Sequence, residues 1–466
     1  MEKTSGEALR EKLFYEPKNG FERISEEEES AAFSYCVEYK NFLNKGKTER
    51  ECVTYAVDLL EKNGFKPFTF GATYKSGDKV YYNNRSCSII FAMIGNVPMN
   101  QGVNIAAAHV DSPRLDLKPV PVYEDSELCL FKTHYYGGIK KYQWTAIPLS
   151  LHGVIAKKNG EVLTVCIGEE EDEPVFCVTD LLPHLSKAQV TKPLGEAIVG
   201  EALNVLIGSC PFKDDKASEK VKLNILNLLY EKYDITEEDF LSADLCVVPA
   251  YKAQDVGFDR SMIGSYGHDD HVCAYPVLTG LLANDCSGKT MIGILTDREE
   301  IGSSGNTGLK ADYVKNFITE LCVGTNANVR ECMKNSKCLS ADVNAAFDPT
   351  YPEVFEKRNT TKLNYGAIIM KYSGSGGKYD TNDANAEFLG QVRKILDNNH
   401  VIWQTGELGK VDAGGGGTVA KYVAAMDIDV VDLGVGVLSM HAPYEVVSKL
   451  DVYMTHRAIE CFLREA

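Results

Sequence analysis

Imidazole and carboxylate side chains recur in this chain directly after short apolar runs. His109-Val110-Asp111 follows "NIAAA", and His268-Asp269-Asp270-His271 follows "MIGSYG". Asp297, Glu299 and Glu300 follow "MIGILT", Asp342 follows "KCLSA", and His441 follows "VVDLGVGVLSM". Carboxylates mixed with imidazoles form a borderline-hard N/O donor set suited to Zn²⁺, Mn²⁺ or Co²⁺. Two such ions can share these ligands if one carboxylate bridges them, and a pair about 3.5–4 Å apart activates water and polarises a carbonyl. A further carboxylate, off the metals, must then take the water's proton. The adjacent Glu299 and Glu300 are suited to divide ligation from proton transfer if a turn brings both to the site. In His109-x-Asp111 the two side chains fall on one face of a strand, where a carboxylate can hold the second N–H of a ligating histidine. Consecutive residues rarely all face one ion, so "HDDH" is expected to supply one ligand.

Each piece alone has a plainer reading. "DREE" reads as a solvated loop, His-x-Asp as a hydrogen-bonded pair, Asp342 as a turn residue, and Gly414–Gly417 as a flexible loop. What favours function is five segments of matching chemistry, each following a buried strand. The glycine run, with Gly416 as candidate substrate contact, then becomes backbone that approaches substrate closely.

The elements that must position these residues alternate. Short apolar runs such as "SIIFAMIG", "TMIGILT", "GAIIMKYS" and "DIDVVDLGVG" read as buried strands. Helical stretches such as "HVCAYPVLTGLLAND" and "DANAEFLGQVRKILDNN" lie between them. This alternation predicts an α/β fold, a mixed sheet sandwiched by helices, with ligands at the carboxyl ends of the strands. Two helices are expected to open the chain, each behind a capping box: Ser25 with Glu28, and Thr48 with Glu51. Gly64 is expected to stop the second, and Ser448 with Asp451 to cap the last helix. The middle of the chain differs: "IPLSLHGVIAKKNGEVLTVCIG" is two β-like runs meeting near Asn159-Gly160, "EPVFCVTDLLPHL" adds a strand, and "SEKVKLNILNLLYEKY" a helix. The division expected is residues 1–113 and 249–466 as a catalytic domain, interrupted at 114–248 by a β-rich insertion.

Composition narrows the class. The 466 residues are 44% hydrophobic and 25% charged, enough for a large core. No apolar run approaches the ~20 residues a bilayer span needs, and "MEKTSGEALREKL" has no apolar signal-peptide segment, so the expected compartment is the cytoplasm. A net charge of −17 disfavours nucleic acid and anionic membranes as partners. The 14 cysteines are scattered, without a Cys-x-x-Cys pair, and read as small buried hydrophobes in a reducing compartment.

Taken in order and spacing, "AAAHVDSPRLDLKP", "GHDDHVC", "TDREEIGSSGNTG", "SADVNAAFDP" and "MHAPYE" resemble the aspartyl aminopeptidase family of dinuclear metallopeptidases over roughly four-fifths of the chain. The resemblance implies that His109 and Asp342 bind one metal, Glu300 and His441 the second, and that Asp269 bridges them. It implies two divalent ions per subunit, zinc first and manganese or cobalt as alternatives. Asp111 would orient His109, Glu299 would be the general base, and the Asp269-Asp270 peptide would be cis. The insertion would mediate dimer contacts, with dimers assembling into a dodecamer, and His184 would reach a neighbouring subunit's site. His271 departs from the basic residue common at that position, Asp297 has no assigned role, and His152 reads as structural. Lys378 is the candidate basic group for an acidic substrate side chain, in a segment that differs from more basic family members.

The activity expected is therefore release of N-terminal residues, Asp or Glu first, from peptides. A broader aminopeptidase or an amidohydrolase on the same metals is the near alternative. A metal-free glycosidase with two carboxylates leaves His109 and His441 unexplained, and a non-catalytic assembly protein would lack a base or ligand that is present here.

Overall fold

The computed structural model describes residues 3–466. Its largest element is a nine-stranded mixed sheet. The centre of that sheet is parallel: Met291–Thr296, Asn104–His109, Lys337–Ala341 and Asp429–Gly434 are hydrogen-bonded in that order. Every residue of the first two strands is buried, which is why they read as continuous apolar runs; both faces are covered. Successive side chains leave on opposite faces. Ala106 and Ala108 pack with residues of helices Glu26–Lys45, Glu49–Lys62, His268–Leu282 and Lys449–Glu465. Ile105 and Ala107 pack instead with Tyr313–Gly324, Val329–Asn335 and Ala420–Ala424. Antiparallel strands extend the sheet at each side, Ser88–Met93 beyond Met291–Thr296 and Ala367–Met370 beyond Asp429–Gly434. The mixed sheet sandwiched by helices is thus the architecture found.

A second sheet of seven strands begins at Arg114, just past His109, and its last strand ends at Pro249. Its order runs Val162–Ile167, Leu149–Ala156, Ala243–Pro249, Arg114–Asp125, Leu128–Tyr136, Val205–Gly208, Cys177–Val178. It surrounds a separate core that includes Trp144, Phe131 and Phe240. A five-stranded sheet pairs Met262–Ser265 with Glu445–Ser448, setting Ser265 opposite Glu445. That register brings the chain entering His268 beside the loop that carries His441.

Local signals and structure agree at several points. The Ser25/Glu28 and Thr48/Glu51 capping boxes form. Gly64 follows its helix at φ 84°. Leu149–Ala156 and Val162–Ile167 are an antiparallel pair joined through Asn159-Gly160. Three points differ. A helix at Ser5–Leu13, with its own Thr4/Glu7 box, precedes the two expected; its buried face is absent, so apolar periodicity did not mark it. The strand expected in "EPVFCVTDLLPHL" shrinks to Cys177–Val178. Ser448 caps the last helix by accepting the Asp451 N–H, but the reciprocal half of the box is missing. The Asp451 carboxylate instead accepts the N–H groups of Asn364 at 2.8 Å and Gly366 at 2.6 Å, which a distant loop presents.

Candidate metal centre

The carboxyl edge of the parallel strands gathers the predicted residues. His109 ends its strand and is the register partner of Thr296, so Asp297–Glu300 leaves the sheet beside it. Ser340 pairs with Ala107, and Asp342 therefore emerges at the same edge. Gly434, on the next strand, lies so close to the Asp342 carbonyl that a Cβ there would collide with it. Glu299–Ile301 is a single 3₁₀ turn, entered through Arg298 at φ 65° and left through Gly302 at φ 88°. The two left-handed residues fold the chain tightly enough that neighbouring Glu299 and Glu300 both line the site cavity.

Asp269 lies between the two histidines. Its Oδ1 is 3.2 Å from His109 Nε2 and its Oδ2 is 3.1 Å from His441 Nε2. Asp342 Oδ1 stands 3.7 Å from His109 Nε2, and Glu300 Oε1 3.3 Å from His441 Nε2. The Asp269-Asp270 peptide is cis. His109, Asp269 and Asp342 are buried. The five residues proposed as ligands thus sit around one cavity of about 450 Å³, which Gly415–Gly417 also line.

The supporting groups are as ordered as the first row. Asp111 does more than the sequence suggested. Its carbonyl lies 3.0 Å and its Oδ1 3.3 Å from His109 Nδ1, while Oδ1 accepts the Glu299 N–H at 3.0 Å and Oδ2 the Glu300 N–H at 3.1 Å. One carboxylate therefore fixes a histidine and both glutamates. Tyr136 donates its hydroxyl to Asp111 Oδ2 at 2.8 Å, and it belongs to the second sheet. Glu445 accepts the backbone N–H of His441 at 2.7 Å on one oxygen and that of Asp269 at 3.0 Å on the other. Asp270 accepts the His109 N–H at 3.2 Å, and the Gly138 carbonyl lies 2.9 Å from His441 Nδ1. Sequence reasoning missed Tyr136, Glu445, Asp270 and Gly138 as supports. Glu445 and Asp270 carried a signal, because one ends the "MHAPYE" motif and the other lies within "GHDDHVC".

Other singled-out residues fall elsewhere. His271 is buried, with Nε2 3.1 Å from both the Val110 carbonyl and Cys52 Sγ, and burial pushes it down to about 4. Asp297 turns away from the centre and accepts the Thr307 hydroxyl at 2.6 Å; burial, with Glu49 and Asp111 nearby, pushes it up to about 7. Lys378 lies in a neighbouring groove, 2.8 Å from Asp383 Oδ2 and 3.7 Å from the centre of the Tyr372 ring. The lysine lining the central cavity is Lys421, paired with Asp380. His184 is exposed on the loop after Cys177–Val178 and does not line the cavity of its own chain.

The electrostatics call for cations. The carboxylates of Asp269, Asp270, Glu299, Glu300 and Asp342 crowd two imidazoles, and among the described residues no lysine or arginine pairs with them. Burial first, and Asp342 next, push Glu299 up to about 8. Burial opposes charge on His441, but Asp269 and Glu300 outweigh it and push the imidazole up to about 10. Buried acceptors Asp269 Oδ1, Asp270 Oδ1 and Glu300 Oε1 have no hydrogen-bond donor. Such groups are costly unless something satisfies them, and a divalent cation in an O/N donor set does so. One oxygen or nitrogen from each of His109, Asp269 and Glu300, and likewise of His109, Asp270 and Asp342, lies within 4.8 Å of the others in its set. The residues present therefore fit metal.

Comparison with known proteins decides the family. The Aminopeptidase I zinc metalloprotease (M18) family matches residues 42–463. The chain belongs to the M18 family. It is 48% identical over 459 residues to a probable M18 family aminopeptidase 1 of Clostridium acetobutylicum, covering 97% of this chain and 99% of that one. The crystal structure of an M18 aminopeptidase from Thermotoga maritima superimposes with a TM-score of 0.93 at 42% identity, covering 97% of this chain and 100% of that chain. That of aminopeptidase I from Clostridium acetobutylicum gives 0.91 at 46%, with the same coverage. The mApe1 dodecamer of S. cerevisiae, 21% identical with a TM-score of 0.75, shares the fold. This M18 chain is accordingly a metalloaminopeptidase, a peptide hydrolase of a zinc family.

Proposed function

We propose that this M18 enzyme releases N-terminal residues from peptides with two divalent ions, zinc by family, and Glu299 as general base. His109 and Asp342 would hold one ion, Glu300 and His441 the other, with Asp269 between them. The observation carrying this reading is the division of Asp269, whose two oxygens face the two imidazoles at 3.2 and 3.1 Å. When bound, the ions would supply Lewis acidity to the attacking water and the scissile carbonyl. Glu299 Oε would take the water's proton and pass it to the leaving amine nitrogen. Asp111, through the Glu299 and Glu300 N–H groups, keeps both side chains in place while the proton moves.

Glu299→Gln tests the base: full metal content by elemental analysis with turnover reduced ~10³-fold or more is expected. Unchanged turnover sinks the assignment.

Asp or Glu is the leading residue released, with Lys378 or Lys421 as the cation and Gly416 as backbone beside the substrate. A broader specificity is the second reading, favoured because each of these lysines is already paired, with Asp383 and Asp380. Relative kcat/KM on Asp-, Glu-, Leu- and Met-amides separates the two, and cleavage of N-acetylated substrates alone would point to an amidohydrolase.

The domain division is read as catalytic at 1–113 and 249–466, with 114–248 as an oligomer-forming insertion, supported by the separate core of the second sheet. A homo-oligomer, up to a dodecamer as in mApe1 of S. cerevisiae, would let His184 act at a neighbour's site. The expected setting is the cytoplasm. Among the described residues no helix is long and apolar enough to cross a membrane.

A further inference from the structure

A second metal-competent cluster lies outside the catalytic centre, where helix Glu49–Lys62 meets the second sheet. His152 and Cys166 stand directly opposite one another on the antiparallel pair Leu149–Ala156 and Val162–Ile167. Directly opposite residues share a face with side chains in contact range. Glu51 reaches that face from the helix, with Oε1 2.7 Å from His152 Nδ1. One donor atom from each of Glu51, His152 and Cys166 lies within 4.8 Å of the other two.

The surroundings arrange these three as ligands. His152 Nε2 is held by Ser150 Oγ at 2.9 Å and Glu169 Oε1 at 3.1 Å, leaving Nδ1 toward the cluster. A carboxylate behind a ligating imidazole is the usual second partner of such a histidine. Glu169 is itself anchored by Lys47 and Lys252, each at 2.7 Å. Glu51 Oε2 accepts the N–H groups of Lys47 at 2.9 Å and Thr48 at 3.1 Å, so Oε1 is the oxygen turned to His152 and the cluster. Cys166 is exposed on the outer strand of the sheet, between buried Val165 and Ile167. An open groove of about 550 Å³, lined in part by Glu51, Glu38, Asp58 and Thr164, gives access and further negative charge.

We infer that Glu51, His152 and Cys166 form a binding site for a zinc-class divalent ion, separate from the catalytic pair, that ties the helix to the second sheet. One sulfur, one nitrogen and one oxygen suit Zn²⁺ or Co²⁺, with the fourth tetrahedral position open to water from the groove. On binding, Cys166 gives up its thiol proton and His152 its Nδ1 proton to solvent.

The sulfur ligand makes the site visible. The catalytic cluster contains only N and O donors, so thiolate-to-cobalt charge-transfer absorption reports on this cluster and not on the catalytic ions. The enzyme is stripped of metal with a chelator and titrated with Co²⁺ while that band is followed. The band should appear and saturate, vanish in Cys166→Ser, and remain in Cys210→Ser, which removes the other exposed thiol. Glu51→Gln should weaken Co²⁺ binding about tenfold or more. No band in the wild-type enzyme, or a band that survives Cys166→Ser, overturns the site. Cys166 is exposed, so loss of the band in a folded serine variant is readable by circular dichroism on the same sample.

Discussion

Tyr136→Phe isolates how far the second sheet supports the catalytic centre. The substitution removes one oxygen and nothing else. The ring stays beneath the Arg114 guanidinium, 4.3 Å from its centre, and the lost interaction is the 2.8 Å hydrogen bond to Asp111 Oδ2. Burial, with the Asp111 carboxylate beside it, pushes the Tyr136 phenol far above its ordinary value, so it is a donor at every working pH. A hydrogen bond to a charged group is worth roughly 1.5–3 kcal/mol. Asp111 Oδ2 keeps the Glu300 N–H at 3.1 Å, which favours the low end of that range. If about 1.4 kcal/mol of it is expressed in the transition state, through less firmly held Glu299 and Glu300, kcat/KM falls about tenfold. The loss should appear in kcat, with KM and zinc content near wild type and Tm lowered by a few degrees. Initial rates on an aminoacyl amide, with metal analysis on the same preparation, measure it. Activity within twofold of wild type and an unchanged Tm would refute the idea that Asp111 needs its partner from the second sheet.

Glu445→Gln sets an amide NH₂ against one of the two N–H groups its carboxylate accepts, from His441 or Asp269. Metal affinity should drop about 10–100-fold, read by competition with a chelator. Gly267 sits at φ 77°, and a Cβ there would be 2.8 Å from His271 Nδ1. Gly267→Ala should cost roughly 1–3 kcal/mol of stability, seen in a denaturant midpoint. His456 sits on the last helix, outside the metal centre, and burial, with Arg457 beside it, pushes it from 6.5 down to about 4. Below 6.5 the unfolded chain takes a proton that the folded chain refuses, so stability falls as pH drops toward 4. Partial exposure reduces the effect to about 2 kcal/mol; a His456→Gln variant should show a flatter decline, and an identical one would exclude this origin.

What could be read in the sequence was what short range decides. The capping boxes at Ser25 and Thr48 depend on residues three apart, and both form. The buried strands betrayed themselves by unbroken apolar runs, and His109, Glu299, Glu300 and Asp342 fell at one sheet edge because parallel strands share a carboxyl end, whereas Asp269 and His441 arrive from strands of the five-stranded sheet. Ser448 with Asp451 looked like the same short-range box, yet Asp451 turns to the Asn364–Gly366 loop, a partner no local pattern announces. Lys378 came from the family resemblance, which does not fix loop packing; it lines a neighbouring groove, while Lys421 lines the central cavity.

By itself, then, the chain's order of residues determined the mixed α/β sheet, the gathering of His109, Asp269, Glu299, Glu300, Asp342 and His441 at its edge, and through its motifs the M18 family. Tertiary structure decided the supports. Tyr136 reaches Asp111 only because the second sheet meets the edge of the first, and Glu445 reaches Asp269 only because Met262–Ser265 pairs with Glu445–Ser448. His152 faces Glu51 and Cys166 only because a helix packs on a hairpin in one register. The physical reason is common to all three. Backbone pairing and apolar periodicity act over a few residues and leave a pattern in the sequence. A buried hydrogen bond between distant segments depends on packing, and nothing nearby in the chain records it.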